Sequence, residues 1–458
     1  MAEKHKRDSR ADPAELAAKE QEVSDGIATL LTLSDGTYRM TELRLGEPNK
    51  RYWEVDESGG IVWKAHRETV NIPDGVSVIG ALHCPILGSV VIPPSVRELD
   101  DLAFGIEHYS GDTLSWYALH TVIFSQGLRR IGYRAFYNCR ELDGVRLPKG
   151  LERIEEDAFC LCRSLSDITV PESVDGIGYR AFGYCNSLEK AVFRDGCTWL
   201  GGYAFAYCHQ LETVILPKTL ISIGPKCFLN CESLEYIDLP ESVEKIHEGA
   251  FENCLSLREF TFKRNLENGD ILLSDSPFKG CGELTVFNLE SGVTTVDWLP
   301  SAPELREIRV ASSHPLFTTV DGALYSGDKK TLLRVPSGKS GEFTVPRGVT
   351  AIAPHAFHEC MDITAVNLPS TLVTIGDRAF HRCYGLVSIE LTGKVKSIGS
   401  EAFSECLRLK RAHISHSVCN IGENVFKDCK SLEDISVSPQ NSFFTVKNGK
   451  LQSKPADI

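Results

Sequence analysis

The chain has 458 residues, a net charge of −13, 42% hydrophobic residues and 24% charged residues. Such acidity fits poorly with a phosphate backbone, so nucleic acid is disfavoured and basic protein surfaces or cations are the better-matched charged partners. No apolar run reaches the roughly 18 residues of a membrane-spanning helix. Met1–Gln21 is charged throughout, without the apolar core of a signal peptide; this predicts a cytoplasmic location, with the cell surface or secretion as the alternative.

Residues 1–24 read as a polar tail. Residues 25–70 read as a β-rich N-terminal cap: Thr37–Leu45, Arg51–Asp56 and Gly60–Ala65 carry β-branched and aromatic residues between Gly-, Pro- and Asn-rich turns. Residues 71–310 are a repeat array. Its first rungs are degenerate, around Cys84 and Leu99–Phe104, and an inserted loop carries Trp116 and Tyr117. From Phe136 the text becomes regular, in the form I-G-x-x-A-F-x-x-C-x-x-L-x-x-V-x-L-P. The same Phe recurs every 23 residues at Phe136, Phe159, Phe182, Phe205, Phe228 and Phe251, and again at Phe357, Phe380, Phe403 and Phe426. An exact period of this length signals a solenoid. A loop at Asn265–Gly269 lengthens one rung, and the next is worn, with Leu299 at the Phe position and Ala302 at the Cys position. Residues 311–345 form a hairpin insert around Val320-Asp321-Gly322. The array continues over 346–437, and 438–458 form a C-terminal cap or tail that echoes the insert at Phe444–Leu451.

Alternation puts Leu142, Val145 and Leu147 inward, with Ile154 and Phe159 on the opposing wall. One rung alone buries too little to offset the ordering of its backbone, so stacking must supply the rest. Of 16 cysteines, 12 stand at the repeat's own position: Cys84, Cys139, Cys162, Cys185, Cys208, Cys231, Cys254, Cys281, Cys360, Cys383, Cys406 and Cys429. At rung spacings of roughly 4.8 Å they form a column whose side chains point the same way, which predicts a reduced, packed thiol ladder and not disulfides. Cys197 and Cys227 take inward slots, whereas Cys160 and Cys419 are expected to be exposed.

These residues resemble the BspA-like leucine-rich repeats, over roughly residues 55 to 451. The A-F-x-x-C-x-x-L-x-x-[VI]-x-[LF]-P motif at period 23 carries the resemblance, together with the V-D-G-x-L-Y…L-L-x-x-P insert. It implies a mainly β fold: a curved leucine-rich repeat solenoid of about 13–14 rungs with parallel strands, an N-terminal cap and one hairpin insert. It also implies a non-catalytic role in binding proteins or host surfaces.

No catalytic motif is present. Gly338-Lys339-Ser340 lacks the upstream Gly of a phosphate loop, and His247-Glu248 lacks the second His of a zincin. His358, Cys360, His381 and Cys383 contain a zinc-compatible ligand set. With Cys inward and His flanking outward, however, the four cannot converge, and no metal or cofactor is expected.

Two groups point to partner binding. Tyr133, Tyr137, Tyr179, Tyr184, Tyr203 and Tyr207 flank the A-F-x-x-C segments of the early rungs, and tyrosine is favoured at interfaces. Glu189, Glu212 and Glu235 occupy one column on the variable strand positions, with Asp238 beside them; Arg258 and Arg306 continue it and Arg309 lies nearby. Like charges at rung spacing repel, and a basic partner would relieve them. The expected function is a protein–protein interaction scaffold that uses the strand face; the alternative is an exported adhesin or surface antigen.

Overall fold

The computed structural model describes residues 20–22, 28–32, 38–43, 53–55, 61–63, 66–72, 74–82, 87–105, 119–264, 277–296, 299–391, 393–447 and 449–454. The tail before residue 20, Cys84, Trp116, Tyr117 and the Asn265–Gly269 loop lie outside them. No α-helix occurs among the described residues. Short parallel strands stack as a β-solenoid of about 14 turns, divided between a first unit, residues 1–231, and a second, 232–458.

In the first unit two strand columns run up the stack. One contains Tyr38–Leu43, Val76–Ile79, Glu98–Leu99, Arg130–Ile131, Arg153–Ile154, Gly176–Ile177, Trp199–Leu200 and Ser222–Ile223, all parallel. Ala28–Thr32 pairs antiparallel with Tyr38–Leu43 and Glu20–Glu22 antiparallel with Ala28–Thr32, closing its first edge. Trp53–Val55 and Ile61–Trp63 make a separate antiparallel pair. The second column comprises His66–Asn71, Leu87–Val91, Thr121–Ile123 and Gly144–Val145, then Asp167–Val170, Lys190–Phe193 and Thr213–Ile215.

The A-F-x-x-C segment forms the turn between columns, and its chemistry explains the motif. Residues two before and two after the Phe adopt positive φ: Arg134 and Asn138, Asp157 and Leu161, Arg180 and Tyr184, Tyr203 and Tyr207. This left-handed conformation turns Ala, Phe and Cys inward while the intervening side chains face away. Every second amide bonds to the next rung: Arg134 N–H to Glu156 O, Phe136 N–H to Ala158 O and Asn138 N–H to Cys160 O, at 3.1, 2.8 and 2.7 Å. The phenylalanines form a continuous stack, with centroid spacings of 5.3, 5.0, 5.2, 5.3 and 5.6 Å from Phe104 to Phe228.

The cysteines have a donor's role. Cys162 Sγ–H donates to Phe136 O of the preceding rung at 3.2 Å, and Cys185, Cys208 and Cys231 repeat the contact at 3.3, 3.2 and 3.2 Å. The same carbonyls accept the amide of their own turn's Cys, as Phe136 O does from Cys139 N–H at 3.2 Å, so the thiol is a second donor on a side chain that still packs as a small hydrophobe. The described cysteines are all free thiols. Cys419 is exposed as expected, but Cys160 is buried. Its side chain lies against the Asp157–Arg180 pair and not in solvent.

In the second unit Thr331–Arg334, Ala351–Ile352, Thr374–Ile375, Ser397–Ile398 and Asn420–Ile421 form one parallel column. On the other side lie Glu259–Arg264, Val286–Gly292 and Glu307–Val310, then Ser340–Thr344 with Asp362–Asn367, then Ser388–Leu391, Arg411–Ile414 and Asp434–Val437. The worn rung still buries Leu299, Ala302, Leu305 and Ile308. The insert is a hairpin, Phe317–Val320 against Ala323–Ser326, whose second strand pairs antiparallel with Thr331–Arg334 and so re-enters the array. Phe444–Lys447 and Lys450–Ser453 repeat that hairpin in the same register. His314 Nδ1 accepts from the amides of Leu316 and Phe317, and Asn441 Oδ1 accepts from those of Phe443 and Phe444.

Candidate interaction faces

On the second strand column of the first unit, alternation leaves one residue in two facing outward. Thr169, Val192 and Ile215 align across three rungs, beside the row Asp167, Lys190 and Thr213. Ile215 is 49% exposed. Glu189 and Glu212 immediately precede these strands; the Glu212 amide bonds to Glu189 O at 3.0 Å, so the two stand one rung apart. Both are exposed, and neither has an ion-pair partner among the described residues. Two adjacent like charges beside the exposed Ile215 and half-buried Val192 form a surface that gains from a basic, partly apolar ligand.

The second unit treats the corresponding charges differently. Arg258 reaches Glu235 at 3.8 Å and Glu283 at 3.1 Å, and Lys263 holds Asp238 at 2.6 Å. Arg309 is shared by Glu259 and Glu307, at 3.1 and 2.9 Å, and Arg306 lies 4.0 Å from Glu304. These pairs are solvated and contribute little stability, but they leave Glu235 and Asp238 already countered. The predicted charge column is therefore neutralised where Arg258 and Lys263 meet it and uncompensated at Glu189 and Glu212.

The tyrosines occupy the turn flank. Asp157 is fully buried and bonds Arg134 Nε at 3.0 Å and Arg180 Nε and Nη2 at 2.6 and 2.7 Å. The hydrogen bonds to Asp157 hold the Arg180 guanidinium firmly in its charged form. Arg134 in turn lies over the rings of Tyr133 and Tyr137, 4.8 Å from each centroid. Tyr184 stacks on Tyr207 at 4.5 Å and Tyr179 leans on Tyr203 at 5.4 Å. Tyr179 and Tyr184 are exposed, whereas Tyr133, Tyr137, Tyr203 and Tyr207 are half-buried. The six residues thus form a braced ladder whose rings mostly contact each other and the arginines.

Sequence reasoning passed over Trp199. It stands at an outward position of the first column, 43% exposed, and its ring lies where a Cβ on Gly176 would be, with Cε2 only 2.1 Å from that point. Only a glycine at position 176 leaves room for the indole. The signal was available as a Gly in a strand one period before a Trp, but it became meaningful only with the register Gly176↔Trp199.

For the His/Cys set, Cys360 and Cys383 point inward, and Cys383 donates to Phe357 O at 3.1 Å. His358, expected to flank outward, is buried instead, because it packs between His355 and His381 with ring centroids 5.6 and 5.2 Å away. No group of three or more His, Cys, Asp or Glu side chains among the described residues could hold a metal ion.

Rungs of 23 residues, with parallel strands on both sides and an Ala-Phe-x-x-Cys turn, define a leucine-rich repeat solenoid. The profile of the BspA type leucine rich repeat region matches six copies over residues 84–212, 177–299 and 337–448. The chain belongs to that family. A comparison with curated protein sequences found no match. Among solved structures the chain is similar to a leucine-rich repeat protein from Bacteroides ovatus, at 24% identity, over 91% of this chain and 92% of that one, with a TM-score of 0.53. It also aligns with a leucine rich cell surface protein from Faecalibacterium prausnitzii (22% identity, 92% and 95% covered, TM-score 0.35) and with the pneumococcal vaccine antigen PcpA (17%, 94% and 92%, TM-score 0.30). No helix among the described residues is long and apolar enough to cross a membrane.

Proposed function

We propose that the chain is a non-catalytic scaffold that binds a protein partner along the second strand column of its first unit, in the cytoplasm. The carrying observation is the uncompensated pair Glu189 and Glu212 beside the half-buried Val192 and exposed Ile215, on a backbone held rigid by inter-rung hydrogen bonds. Such a face takes an extended or flat basic segment, with the carboxylates steering approach and the apolar row supplying contact area. A rigid repeat surface of this kind loses little conformational entropy on binding.

The test is capture of partners from the source lysate, followed by titration of the purified partner. Glu189→Lys with Glu212→Lys should weaken affinity at least tenfold and reverse its salt dependence, with the fold intact by thermal melting. Unchanged affinity and salt dependence would remove the strand face from the account. Location is tested separately by protease treatment of intact cells: protection until lysis fits a cytoplasmic scaffold, and release of peptides would make the same face an adhesive surface outside the cell.

A further inference from the structure

The second unit contains a buried polar cluster that partner binding does not use. Arg334, from the strand that leaves the insert, is buried; Nη1 donates to His355 O at 2.7 Å and Nη2 to Leu299 O. No carboxylate pairs with it among the described residues. Beside it, His358 is buried with neither ring nitrogen hydrogen-bonded, and His355 Nδ1 is buried and likewise without a partner. Buried polar atoms in this condition are uncommon in native folds.

The surroundings oppose a further positive charge. Arg334, Arg378 and His381 face His355, with Asp377 the acidic neighbour. Arg334, Arg382, His381 and His355 face His358. Glu359 Oε1 lies 3.7 Å from His358 Nε2 but is already engaged by Arg382 Nη1 at 3.1 Å. His381 differs: its Nδ1 meets Ser404 Oγ at 2.7 Å and its Nε2 lies 3.8 Å from Glu405.

We propose that this cluster is a proton-operated switch: uptake of protons by His355 and His358 opens the turns around Phe357 and Phe380 while the first unit stays closed. Burial, with Arg334 next, pulls His358 down to about 2 and His355 to about 4. In the open chain both rings return to roughly 6.5, so the open state binds protons more readily. The stability these rings allow is fully present above pH 6.5 and is lost as the pH falls from 6.5 toward 4. Between pH 7 and pH 5 each ring shifts the opening equilibrium roughly 25-fold, and the two together roughly 500-fold. Among the described residues, the buried histidine nitrogens without a partner all belong to the second unit.

The test is hydrogen exchange on the full chain at pH 7 and pH 5, corrected for intrinsic rates. Protection at residues 355–383 should fall several-hundred-fold, while the equivalent turns at 157–185 change less than tenfold. His355→Leu with His358→Phe should abolish most of that fall. Loss of protection in both units alike, loss in neither, or persistence of the fall in the double variant would overturn the switch. Should the double variant not fold at pH 7, the wild-type ring resonances decide. Rings that stay neutral in the folded population at pH 5 support the switch; rings that titrate near 6.5 with the turns closed refute it.

Discussion

Replacing Phe182 by Ala tests the stack at its centre. The ring is fully buried and lies 5.2 Å from Phe159 and 5.3 Å from Phe205, tilted by 2° and 9°. Burying an aromatic ring contributes roughly 1.5–3 kcal/mol. Two stacking contacts add about 0.5–1.5 kcal/mol each, and the flanking rings cannot collapse into the gap because their rungs are fixed by hydrogen bonds such as Phe182 N–H to Ala204 O at 2.8 Å. The expected loss is about 3–5 kcal/mol. Phe426 is the internal comparison: it is half-buried and stacks on Phe403 alone among the described aromatic rings, at 5.7 Å, so Phe426→Ala should cost only about 1–2 kcal/mol. Native-state hydrogen exchange, read at the turn amides of each unit, measures both, since repeat arrays seldom melt as one transition. A Phe182→Ala loss below about 1 kcal/mol, or equal costs at the two sites, would refute the stacked-ring account.

Asp157→Ala should cost roughly 2–4 kcal/mol, somewhat below a fully buried pair because Arg134 and Arg180 keep partial access to water; a urea titration that detects less than about 0.5 kcal/mol would mean the brace is idle. Under native conditions a thiol reagent should modify Cys419 first. The buried ladder cysteines from Cys139 to Cys406 should react only on unfolding, since burial pushes Cys139 and Cys360 up to about 12; rapid labelling of Cys139 would contradict their inward placement. Asn441 donates to Ser415 O and Val418 O at 2.8 and 2.9 Å while accepting from two amides. Asn441→Ala should therefore release the C-terminal hairpin, seen as fast exchange at 444–453 with the rungs before it unchanged. Leu161 sits at a positive-φ position that Asn138, Asn230 and Asn253 fill elsewhere; Leu161→Asn should stabilise the chain by up to about 1 kcal/mol, and a lower melting temperature would count against backbone strain there.

The repeat was legible because its inward residues are nearly invariant from rung to rung: Phe, Cys and the Leu-x-x-Val set recur at one spacing, and even Leu299 and Ala302 keep their buried places. What stood between them was harder to read. The left-handed positions carry Gly or Asn in only some rungs, such as Gly249, Gly280, Asn138 and Asn230, and Arg, Asp, Tyr or Leu in others, so no one residue type marked them along the text. Pairing of Glu235 with Arg258 and of Asp238 with Lys263 depends on the register between rungs. His358 is buried between His355 and His381, and the Arg334 guanidinium that bonds His355 O comes from an insert that breaks the period. Period-based reasoning places a side chain inside or outside a rung; it does not see contacts made by a neighbour that departs from the period.

The central claim is that the second strand column of the first unit is the binding face. Hydrogen-exchange footprinting of the chain with its captured partner tests it most directly. New protection should concentrate at Lys190–Phe193 and Thr213–Ile215, the strands beside Glu189 and Glu212. Protection confined to the tyrosine turns at 179–184 and 203–207, or to the first column around Trp199, would place the partner elsewhere and contradict the account.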